Sequence, residues 1–565
     1  MRRVAALLGA AVLVTMACAQ TPTTGPQSAG PAEKPVPGGR LVLGAVGDPK
    51  TMQPVISTDT TSVAAFDKLY LGLVTRDPKS GEVIGRLAEK YERSSDGLSV
   101  TFTLRDGLVW SDGTPFTGRD YKYTAEAVMR SKKTVRQSNL ENVLGAKEYK
   151  DGKTDGIAGI TLSNNDKVIT VQFAKVVCSA VEDVGGAGAG YIIPADKFKP
   201  YWDNKTTDTT KNIDDTPLNM NPPVSMGAWI FKEFKAGDRI SYVKNPKYYK
   251  GEPLIDELVI KIYADATAIK NALLTGEVSY AGVEPKDFDE ATRQDFLKGF
   301  EFPTFGWTYL AWNPRAVKAP WLASKDVRQA LTYGLNRQAI MDKIVLGHGK
   351  LVNQSQPPAN PAYSEEGMNK YPYDVAKAKQ LLEKAGAKMG SDGIYRWTDG
   401  SPMKMKIETN QGNTVRETIV QFAQDQYKQI GIQIEPVLES FNALLDRTKC
   451  CSPDTEGFII GLTGLGPDPD HRDIWHSTAT DAFNKWAYNN PDVDKWLDQV
   501  KTGPDCSEAA RNRAAHLADK QINEDAPIVF IYSPNSLIFA DKALQKFAPT
   551  QYSTLYNVEE WWFKK

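Results

Sequence analysis

Short stretches in which apolar and polar residues alternate predict β-strands along much of the chain. The run SVTFTL alternates with a period of two residues, and the turn pairs Asp96–Gly97 and Asp112–Gly113 lie before and after it. Further strands are predicted at RLVLGAV, GAWIFKEF, RISYVKN, ELVIKIY, MKMKIET and IQIEPVLE. The strands fall into two groups, one in the first half of the chain and one after residue 400.

Helix signals lie between these strands. Thr117 is predicted to cap a helix over YKYTAEAVM with Asp120 three residues on, and Asp374 to cap a helix that stops at Gly386. Other helices are predicted over an apolar stretch that ends near Leu73, around residues 266–274, over VRQALTYGLNRQAIMDKIV and over TVRETIVQFAQDQYKQIG. After residue 400 the alternation of strand, helix and strand is typical of an α/β unit.

Length and charge narrow the class of protein. A chain of 565 residues is expected to form two or three domains. Lys and Arg together number 68 and Asp and Glu 69, so no basic excess favours nucleic acid or an anionic lipid surface. We therefore expect a protein that does not bind nucleic acid.

The N-terminus predicts export. Arg2 and Arg3 precede the apolar run VAALLGAAVLV, which is too short to span a bilayer and ends at TMAC, as in a secretory signal. The end of this signal resembles the lipobox of bacterial lipoproteins, which implies lipid modification of Cys18. Thr15 stands where that motif prefers Leu, so export without lipid is the alternative. The Pro-, Gly- and Thr-rich segment that follows predicts a flexible tether.

Four cysteines remain after Cys18, and an exported protein can form disulfides. Four cysteines allow three pairings, among which the sequence does not choose. We expect Cys506 to pair with Cys450 or Cys451, since these lie in one proposed domain; four free thiols are the alternative.

Motifs for catalysis, metals and cofactors are missing. The chain has no nucleophile elbow, no zinc-ligand spacing and no complete P-loop. His471 and His476 lie near Asp470 and Asp473, but a five-residue step does not place two ligands on one helical face. We therefore predict no catalytic residue, no metal site and no cofactor. An exported hydrolase that uses Asp468 or Asp473 is the rival hypothesis.

Several further blocks of sequence follow one another along the chain. They are LAEKYERSSDGLSVTFTLRDGLVWSDGTPFTGRD, KNPKYYKGEPLIDELVIKIY, ALLTGEVSYAG, VRQALTYGLNRQAI, YDVAKAKQLLEKAG, PDPD and YNNPDVDKWL. In this order they resemble the oligopeptide/dipeptide-type (family 5) solute-binding proteins of bacterial ABC importers. The resemblance covers nearly all of the chain after the tether.

This resemblance implies an α/β, two-lobe, periplasmic-binding-protein-like fold of type II with three domains, one of them an extra domain on the first lobe. Residues 1–17 would be the signal peptide and 18–36 the tether. The first lobe would combine 37–75, 216–305 and 529–565, the extra domain II would span 76–215, and the second lobe (domain III) 306–528.

The same resemblance implies a function. The protein would be a monomeric receptor in the periplasm or on the outer face of the cytoplasmic membrane, tethered only by its lipid. It would bind an oligopeptide or peptide-like solute between its lobes and deliver it to the permease subunits of an ABC importer, with no chemistry of its own. An oligosaccharide or another small molecule is the alternative solute.

The segment GLTGLGPDP bears on that choice. In peptide-binding relatives the matching segment has a Trp and, three residues later, an Asp that accepts the amino terminus of the peptide. Aligned on Pro469, those positions are Leu462 and Leu465 here. A buried ammonium facing Leu465 would lose its partner, whereas a sugar has no amine to neutralise. Asp468 and Asp470 are expected to shape the turn; a shifted alignment would bring Asp468 to the amine.

The resemblance also suggests which residues line the cleft. They belong to a first-lobe loop, the start of the second lobe, and the ends of second-lobe strands. The candidates are Thr58, Asp59, Thr60, Thr61, Trp307, Tyr309, Asn410, Gln411, Phe441, Leu465 and Asp468. For each, core packing or a solvated loop is the alternative.

Overall fold

The computed structural model describes residues 34–186, 191–450 and 452–565. The predicted signal peptide, Cys18, most of the predicted tether and Cys451 lie outside these ranges. The strands are β1 (Arg40–Val46), β2 (Val74–Arg76), β3 (Val83–Gly85), β4 (Ala88–Arg93), β5 (Ser99–Leu104), β6 (Ile160–Ser163), β7 (Val168–Gln172), β8 (Trp229–Lys235), β9 (Arg239–Lys244), β10 (Glu257–Tyr263), β11 (Tyr280–Gly282), β12 (Leu297–Pro303), β13 (Gly306–Trp312), β14 (Gly349–Lys350), β15 (Lys388–Met389), β16 (Tyr395–Arg396), β17 (Lys404–Asn410), β18 (Gln433–Glu439), β19 (Gly457–Thr463), β20 (Ile528–Asp541), β21 (Leu544–Gln545) and β22 (Trp562–Phe563).

The α-helices lie between these strands. They are α1 (Thr60–Phe66), α2 (Gly118–Arg130), α3 (Ala146–Lys150), α4 (Ala180–Gly185), α5 (Ala195–Phe198), α6 (Ala266–Leu274), α7 (Phe288–Thr292), α8 (Lys325–Tyr333), α9 (Arg337–Lys343), α10 (Val375–Lys384), α11 (Thr414–Gln429), α12 (Phe441–Arg447), α13 (Arg472–Trp475), α14 (Pro491–Thr502) and α15 (Glu508–Asp525).

The first lobe contains two four-stranded sheets around one core. One sheet has the order β1-β10-β9-β8, with β1 and β10 parallel, and the other is the antiparallel sheet β4-β5-β7-β6. Buried side chains from both sheets, such as Leu41 and Ile260 from one and Phe102 and Val171 from the other, belong to the same hydrophobic cluster. Their shared core indicates that the two sheets move as one body.

A larger sheet runs through both lobes. Its path is β11-β20-β13-β19-β17-β18, with β12 and β14 pairing along β20. Strands β11, β12 and the end of β20 pack on the first lobe, and the remaining strands form the sheet of the second lobe. The parallel strands β17 and β18 are joined by α11, a βαβ unit. Two hydrophobic cores, which together draw on buried residues between Trp307 and Tyr532, pack around this sheet. We use the name second lobe for the part of the chain that forms these two cores.

Two stretches of chain connect the lobes. One is the passage from β12 to β13. The other lies within β20, which pairs with β13 over 528–532 and with β12 from Asn535 onward. The fold class expected from the sequence, a two-lobe α/β protein, is confirmed. In the described part of the chain, no helix combines the length and the hydrophobicity that a membrane span requires.

Local capping signals identified several helices correctly. Thr117 and Asp120 form the expected capping box of α2, and the Asp374 carboxylate accepts a hydrogen bond from Lys377 N at the start of α10. Helix α6 has the bounds expected from the sequence, and α11 lies within the stretch assigned to it. Signals carried by neighbouring residues therefore sufficed for these elements.

Two helix predictions were wrong in extent. The stretch VRQALTYGLNRQAIMDKIV forms two helices, because α8 ends before Gly334 and the Asn336 side chain caps α9 by accepting from Ala339 N. Helix α1 ends at Phe66 rather than near Leu73. The chain leaves the helix there, and the Leu69 carbonyl accepts hydrogen bonds from the backbone of residues 226 and 227. A Cβ at position 227 would lie 1.9 Å from Lys68 O, so only glycine permits this approach.

The expected disulfide pairing was also wrong. Cys506 is bonded to Cys178, 328 residues earlier in the sequence, and their Cα atoms are 5.1 Å apart. Cys450 is disulfide-bonded as well. Folding brings the sheet β4-β5-β7-β6, which we call the extra sheet, against the second lobe, so cysteines of two distant segments become neighbours. Cys178, Cys450 and Cys506 are therefore all disulfide-bonded, so the alternative of free thiols is wrong for these three cysteines.

Candidate ligand-binding cleft

Parallel strands of the second lobe end at one edge of its sheet. Strand β17 runs parallel to both β18 and β19. The residues that follow these strands, Gln411, Phe441 and Leu465, therefore leave the sheet at the same edge. In open α/β sheets, ligands bind outside the carboxyl ends of the strands. The fold of the second lobe thus brings three of the candidate residues to a position suited to a ligand.

The first lobe presents the corresponding edge of its own sheet. Strands β1 and β10 are parallel, and the loops that follow them contact the second lobe. Ala266 N donates to Gly412 O at 3.4 Å. Lys50 Nζ lies 3.1 Å from Asp446 Oδ1 and donates to Asn442 O at 3.2 Å. The carboxyl edges of the two sheets therefore face each other, and the lobes are in contact.

A second polar contact joins the lobes beside α11. The Glu284 carboxylate accepts hydrogen bonds from Thr414 N at 3.1 Å and from Thr414 Oγ1 at 2.6 Å. Lys286 Nζ donates to the same hydroxyl at 2.7 Å. The N-terminus of α11 is thus held against the first lobe.

The first-lobe loop contains candidates with different surroundings. The Asp59 carboxylate is buried and caps α1, where it accepts from both Ser62 N (2.8 Å) and Ser62 Oγ (2.7 Å). Thr58 and Thr60 are exposed and Thr61 is half-buried. The threonines are free to meet a solute, whereas Asp59 already satisfies the backbone of its own helix.

Trp307 and Tyr309 lie inside the second lobe. Both are buried, and Trp307 Nε1 donates to Ser355 O at 2.7 Å. Their rings pack edge-to-face with each other, with centroids 4.9 Å apart. Tyr309 also packs edge-to-face against Trp486. These contacts place the two side chains in the core that supports the cleft edge.

The candidates after β17 and β18 lie nearer the cleft. The Asn410 side chain is buried and its Oδ1 accepts from Arg416 Nη1 at 2.7 Å. Gln411 has an exposed side chain, and its backbone N donates to Glu439 O at 2.7 Å. Phe441 begins α12 and packs, half-buried, against the second-lobe core. Of these three, Gln411 offers the most accessible polar side chain.

Leu465 lies in a turn that two glycines shape. Gly464 has φ +78° and Gly466 has φ +72°, a left-handed backbone that glycine adopts without strain. Between them Leu465 N donates to Phe305 O at 3.1 Å, and the half-buried side chain packs against the second-lobe core. The position expected for an amine-binding acid is therefore occupied by an apolar side chain at the junction between the lobes.

Asp468 is held by a cation of its own lobe. Its two carboxylate oxygens accept from Arg511 Nη2 at 2.6 Å and from Arg511 Nη1 at 2.9 Å. Oδ1 also accepts from Asp470 N at 2.9 Å. A bidentate pair of this kind fixes the carboxylate geometrically, so Asp468 is engaged within the protein.

The acids that follow form a buried ionic cluster at the junction with the extra sheet. Lys501 Nζ lies 3.4 Å from both Asp470 Oδ2 and Asp183 Oδ2, and its side chain is 3% exposed. Burial alone would lower the pKa of Lys501, but Asp183, Asp470 and Asp473 outweigh it and raise the pKa. Burial likewise raises the pKa of Asp470, yet Lys501 and neighbouring donors leave it lowered. The cluster is therefore an ion pair network between the lobes.

Arg472 adds a bridge beside that cluster. Its Nη1 donates to Glu141 Oε1 of the extra sheet's domain at 2.6 Å, and its Nε to Asp498 at 2.9 Å. Within the segment PDPDHRD, Asp468 is thus paired inside the second lobe. Asp470, through Lys501, and Arg472 join that lobe to the region around the extra sheet.

Sequence reasoning missed Arg416, a cation at the cleft edge. It lies on the first turn of α11, and its Nη2 approaches Gly461 so closely that a Cβ there would be 2.8 Å away. Its contact with Asn410 is to a neutral amide, and the described residues include no carboxylate within ion-pair distance of it. Burial lowers the pKa of Arg416, with Tyr532 and Tyr309 opposing, but arginine remains charged at neutral pH. Only the fold brings β17 and β19 to this side chain.

The second lobe also contains a buried contact between serine and histidine. Ser355 Oγ lies 2.6 Å from His471 Nδ1 and accepts from Trp475 Nε1 at 2.6 Å. Ser355 has 0% exposure and His471 2%. Burial lowers the pKa of His471 to about 4, so the ring is neutral near pH 7. The Ser355 hydroxyl is closed to solvent in this structure.

Among the described residues, no three His, Cys, Asp or Glu side chains cluster in a way that could hold a metal ion. The acids of the PDPDHRD segment have Lys and Arg partners instead.

Comparisons with known proteins agree with this geometry. The chain matches the family described as bacterial extracellular solute-binding proteins, family 5 Middle, over residues 82–492. It is 28% identical to the oligopeptide-binding protein AppA of Bacillus subtilis (strain 168) over 584 residues, covering 100% of both chains. It is 29% identical to the dipeptide-binding protein of Escherichia coli (strain K12) over 462 residues, covering 79% of this chain and 81% of that protein.

Solved structures give the same result. The Bacillus subtilis AppA structure in complex with a nonapeptide has a TM-score of 0.84 at 27% identity, covering 94% of this chain and 100% of that chain. Lactococcal OppA, complexed with an endogenous peptide in the closed conformation, has a TM-score of 0.80 at 21% identity and covers 92% and 99%. The second likeness concerns the fold alone.

Proposed function

Because the chain belongs to family 5 of the bacterial extracellular solute-binding proteins, we propose that it is an exported receptor that binds an oligopeptide between its lobes and delivers it to an ABC importer. The observation that carries this proposal is the similarity along nearly the whole chain to AppA in complex with a nonapeptide. The facing carboxyl edges of the two sheets support it, since they form the kind of crevice in which α/β proteins bind ligands.

The accessible groups at these edges suit a peptide backbone. Thr58, Thr60 and Gln411 are exposed, and their side chains donate and accept hydrogen bonds as amide groups require. Arg416 supplies a positive charge without a carboxylate partner, which favours a carboxylate on the solute. We propose that these four side chains contact the peptide, and that Trp307, Tyr309, Asp59 and Asp468 hold the surrounding structure.

The amino terminus of the peptide would then be recognised without an acid at position 465. Leu465 is apolar, and the nearest acid of the segment, Asp468, is paired with Arg511. The receptor therefore discriminates weakly between free and blocked amino termini, which suits long peptides bound mainly through their backbone.

An oligosaccharide remains the second candidate solute, and Leu465 is the observation that favours it. A sugar needs neutral hydrogen-bonding groups and apolar or aromatic surfaces, and it brings no ammonium that Leu465 would fail to pair. The unpaired charge of Arg416 favours the peptide over a neutral sugar.

The anchoring, domain limits and lack of catalysis belong to the same proposal. We propose that Cys18 carries a lipid, that the mature protein is a monomer on the outer face of the cytoplasmic membrane, and that it turns nothing over. The proposed domain limits remain those expected from the sequence, with an extra domain at 76–215 and a second lobe at 306–528. The second-lobe cores draw on residues from Trp307 to Tyr532, a range that lies close to the proposed limits of that lobe at both ends.

Native mass spectrometry of the mature protein, purified gently from cells grown in rich medium, tests the proposal. We expect bound masses that fragment as a family of peptides after release. Bound masses spaced by sugar units would instead establish the second candidate, and a protein that carries neither and does not change its Trp fluorescence with either class of solute would contradict the receptor function.

A further inference from the structure

The two lobes do not share a hydrophobic core. Each of the five hydrophobic clusters that the described residues form lies within one lobe. Across the facing sheet edges the contacts between the lobes are polar, as at Lys50 with Asp446 and Glu284 with Thr414. Such contacts exchange readily with water, so these edges are built to separate. The buried cluster of Lys501 with Asp183 and Asp470 differs, because it joins the lobes at the junction where the disulfide lies.

One contact between the lobes is covalent. Cys178 lies between β7 and α4, in the region of the extra sheet, and Cys506 lies in the loop between α14 and α15 of the second lobe. Beside the bond, Cys178 N donates to Lys501 O at 2.8 Å, which is a backbone hydrogen bond across the same junction.

Both ends of this disulfide are fixed to regular structure. On the first lobe, Arg93 of β4 donates from Nη2 to Val177 O at 2.7 Å. On the second lobe, Ser507 caps α15, and Arg511 Nε donates to Val500 O of α14 at 2.9 Å. Neither cysteine therefore lies on a long free loop that could follow a large movement.

The disulfide lies away from the two chain passages that can act as a hinge. Those passages are the link from β12 to β13 and the middle of β20. Rotation about two adjacent strands would open a cleft freely. A third covalent connection at another place restricts that rotation, because bonded cysteines keep their Cα atoms within about 7 Å.

We propose that the Cys178–Cys506 disulfide is a strap that limits how far the two lobes separate. With the strap intact, the protein opens only by the movement that the hinge and the strap allow together, so solute enters and leaves through a restricted gap. The part that concerns solute exchange rests on the proposed function, but the restriction of lobe movement does not.

The strap forms by ordinary thiol–disulfide exchange. The two thiols lose two electrons and two protons to a disulfide oxidant, which leaves as two thiols, and one S–S bond forms between Cys178 and Cys506. Such oxidants are available to exported proteins. Both cysteines are half-buried in the folded protein.

Hydrogen exchange and small-angle scattering test the strap without any solute. In the double variant Cys178→Ser/Cys506→Ser, we expect the amides of Ala266 and Thr414, which donate across the lobes, to exchange at least about tenfold faster. The radius of gyration should increase as well. Reducing agent is a poorer test, since it would also reach the disulfide of Cys450.

The control is Asp374→Ala, which removes the cap of α10 in the second lobe and leaves the strap intact. It should weaken the start of α10 and change exchange at the two amides little. If the double variant is poorly folded, a Gly-Ser insertion after Cys506 keeps the bond but lengthens the strap, and should give a smaller gain in exchange. Wild-type exchange rates and an unchanged radius of gyration in a folded double variant would overturn the proposal.

Discussion

Two halves of one segment, Gly461–Pro467 and Asp468–Asp473, lie next to each other and do different things. The first half is uncharged, turns through two left-handed glycines and leaves the sheet at the cleft edge. The second half is densely charged, and its ions are paired with Arg511, Lys501 and Glu141. A run of acids in a sequence invites a functional interpretation, but here the charges join protein to protein and the neutral half borders the cleft.

The largest expected effect is the loss of the buried cation in the charged half. Lys501→Met keeps the length of the side chain but leaves Asp183 and Asp470 buried together without it. We expect the free energy of unfolding to fall by about 3–5 kcal/mol, as for other buried pairs that lose one partner. Urea denaturation measures this change.

A matched control for that variant is Lys90→Met. Lys90 pairs with Glu92 at the surface, where the two side chains are 63% and 72% exposed. Loss of the Lys90 charge should lower the free energy of unfolding by less than about 1 kcal/mol. Equal effects of the two substitutions would show that the charged half of the segment is no more than a solvated surface.

His471 provides a pH-dependent test within the charged half. Its pKa in the folded protein is about 4, lowered by burial, and in the unfolded chain it is about 6.5. The stability that the neutral ring contributes is therefore complete above pH 6.5 and is lost as the pH falls to 4, by about 3 kcal/mol in all. The difference in unfolding free energy between wild type and His471→Asn should shrink over this interval.

Asparagine is chosen because its side-chain amide does not titrate and can both donate to and accept from the Ser355 hydroxyl that contacts Nδ1. A difference that stays constant from pH 6.5 to pH 4 would contradict a buried neutral histidine, and would indicate that water reaches the ring.

The variant Leu465→Asp tests the neutral half of the segment, and its expected effect is the smallest of those considered. A carboxylate there should improve binding of peptides with a free amino terminus by about tenfold relative to N-acetylated ones. Leu465→Asn is the control, since it changes polarity without charge. Isothermal titration calorimetry with one peptide in both forms gives the ratio, and an unchanged ratio would mean that position 465 does not face the amine.

The two-lobe fold followed from the family resemblance, whereas the single elements that could be predicted from the residues are those set by neighbouring residues. The capping box of Thr117 and Asp120 and the cap at Asp374 each use residues three apart, and both were identified. The break between α8 and α9 carried a local signal too, the cap at Asn336, which a continuous apolar pattern concealed.

The parts that escaped prediction depend on distant segments. The partners of Asp468 and Asp470 come from α15 and α14, and Cys178 meets a cysteine 328 residues away. Arg416 was visible as one residue of a predicted helix, but its position beside Asn410 and Gly461 follows only from the order of the strands. The spacing of residues along the chain does not indicate which of these distant residues lie close together in the fold.

The central claim is that the charged half of the segment holds the protein together and leaves the peptide's amine without an acid partner. The most direct test takes the most abundant peptide released from the wild-type protein and compares its dissociation constant with that of its N-acetylated form. We predict that the two constants agree within about threefold, since no charge-assisted bond is lost. A preference of about 100-fold for the free amine would contradict the account, because it would require a carboxylate such as Asp468 or Asp59 to bind the peptide.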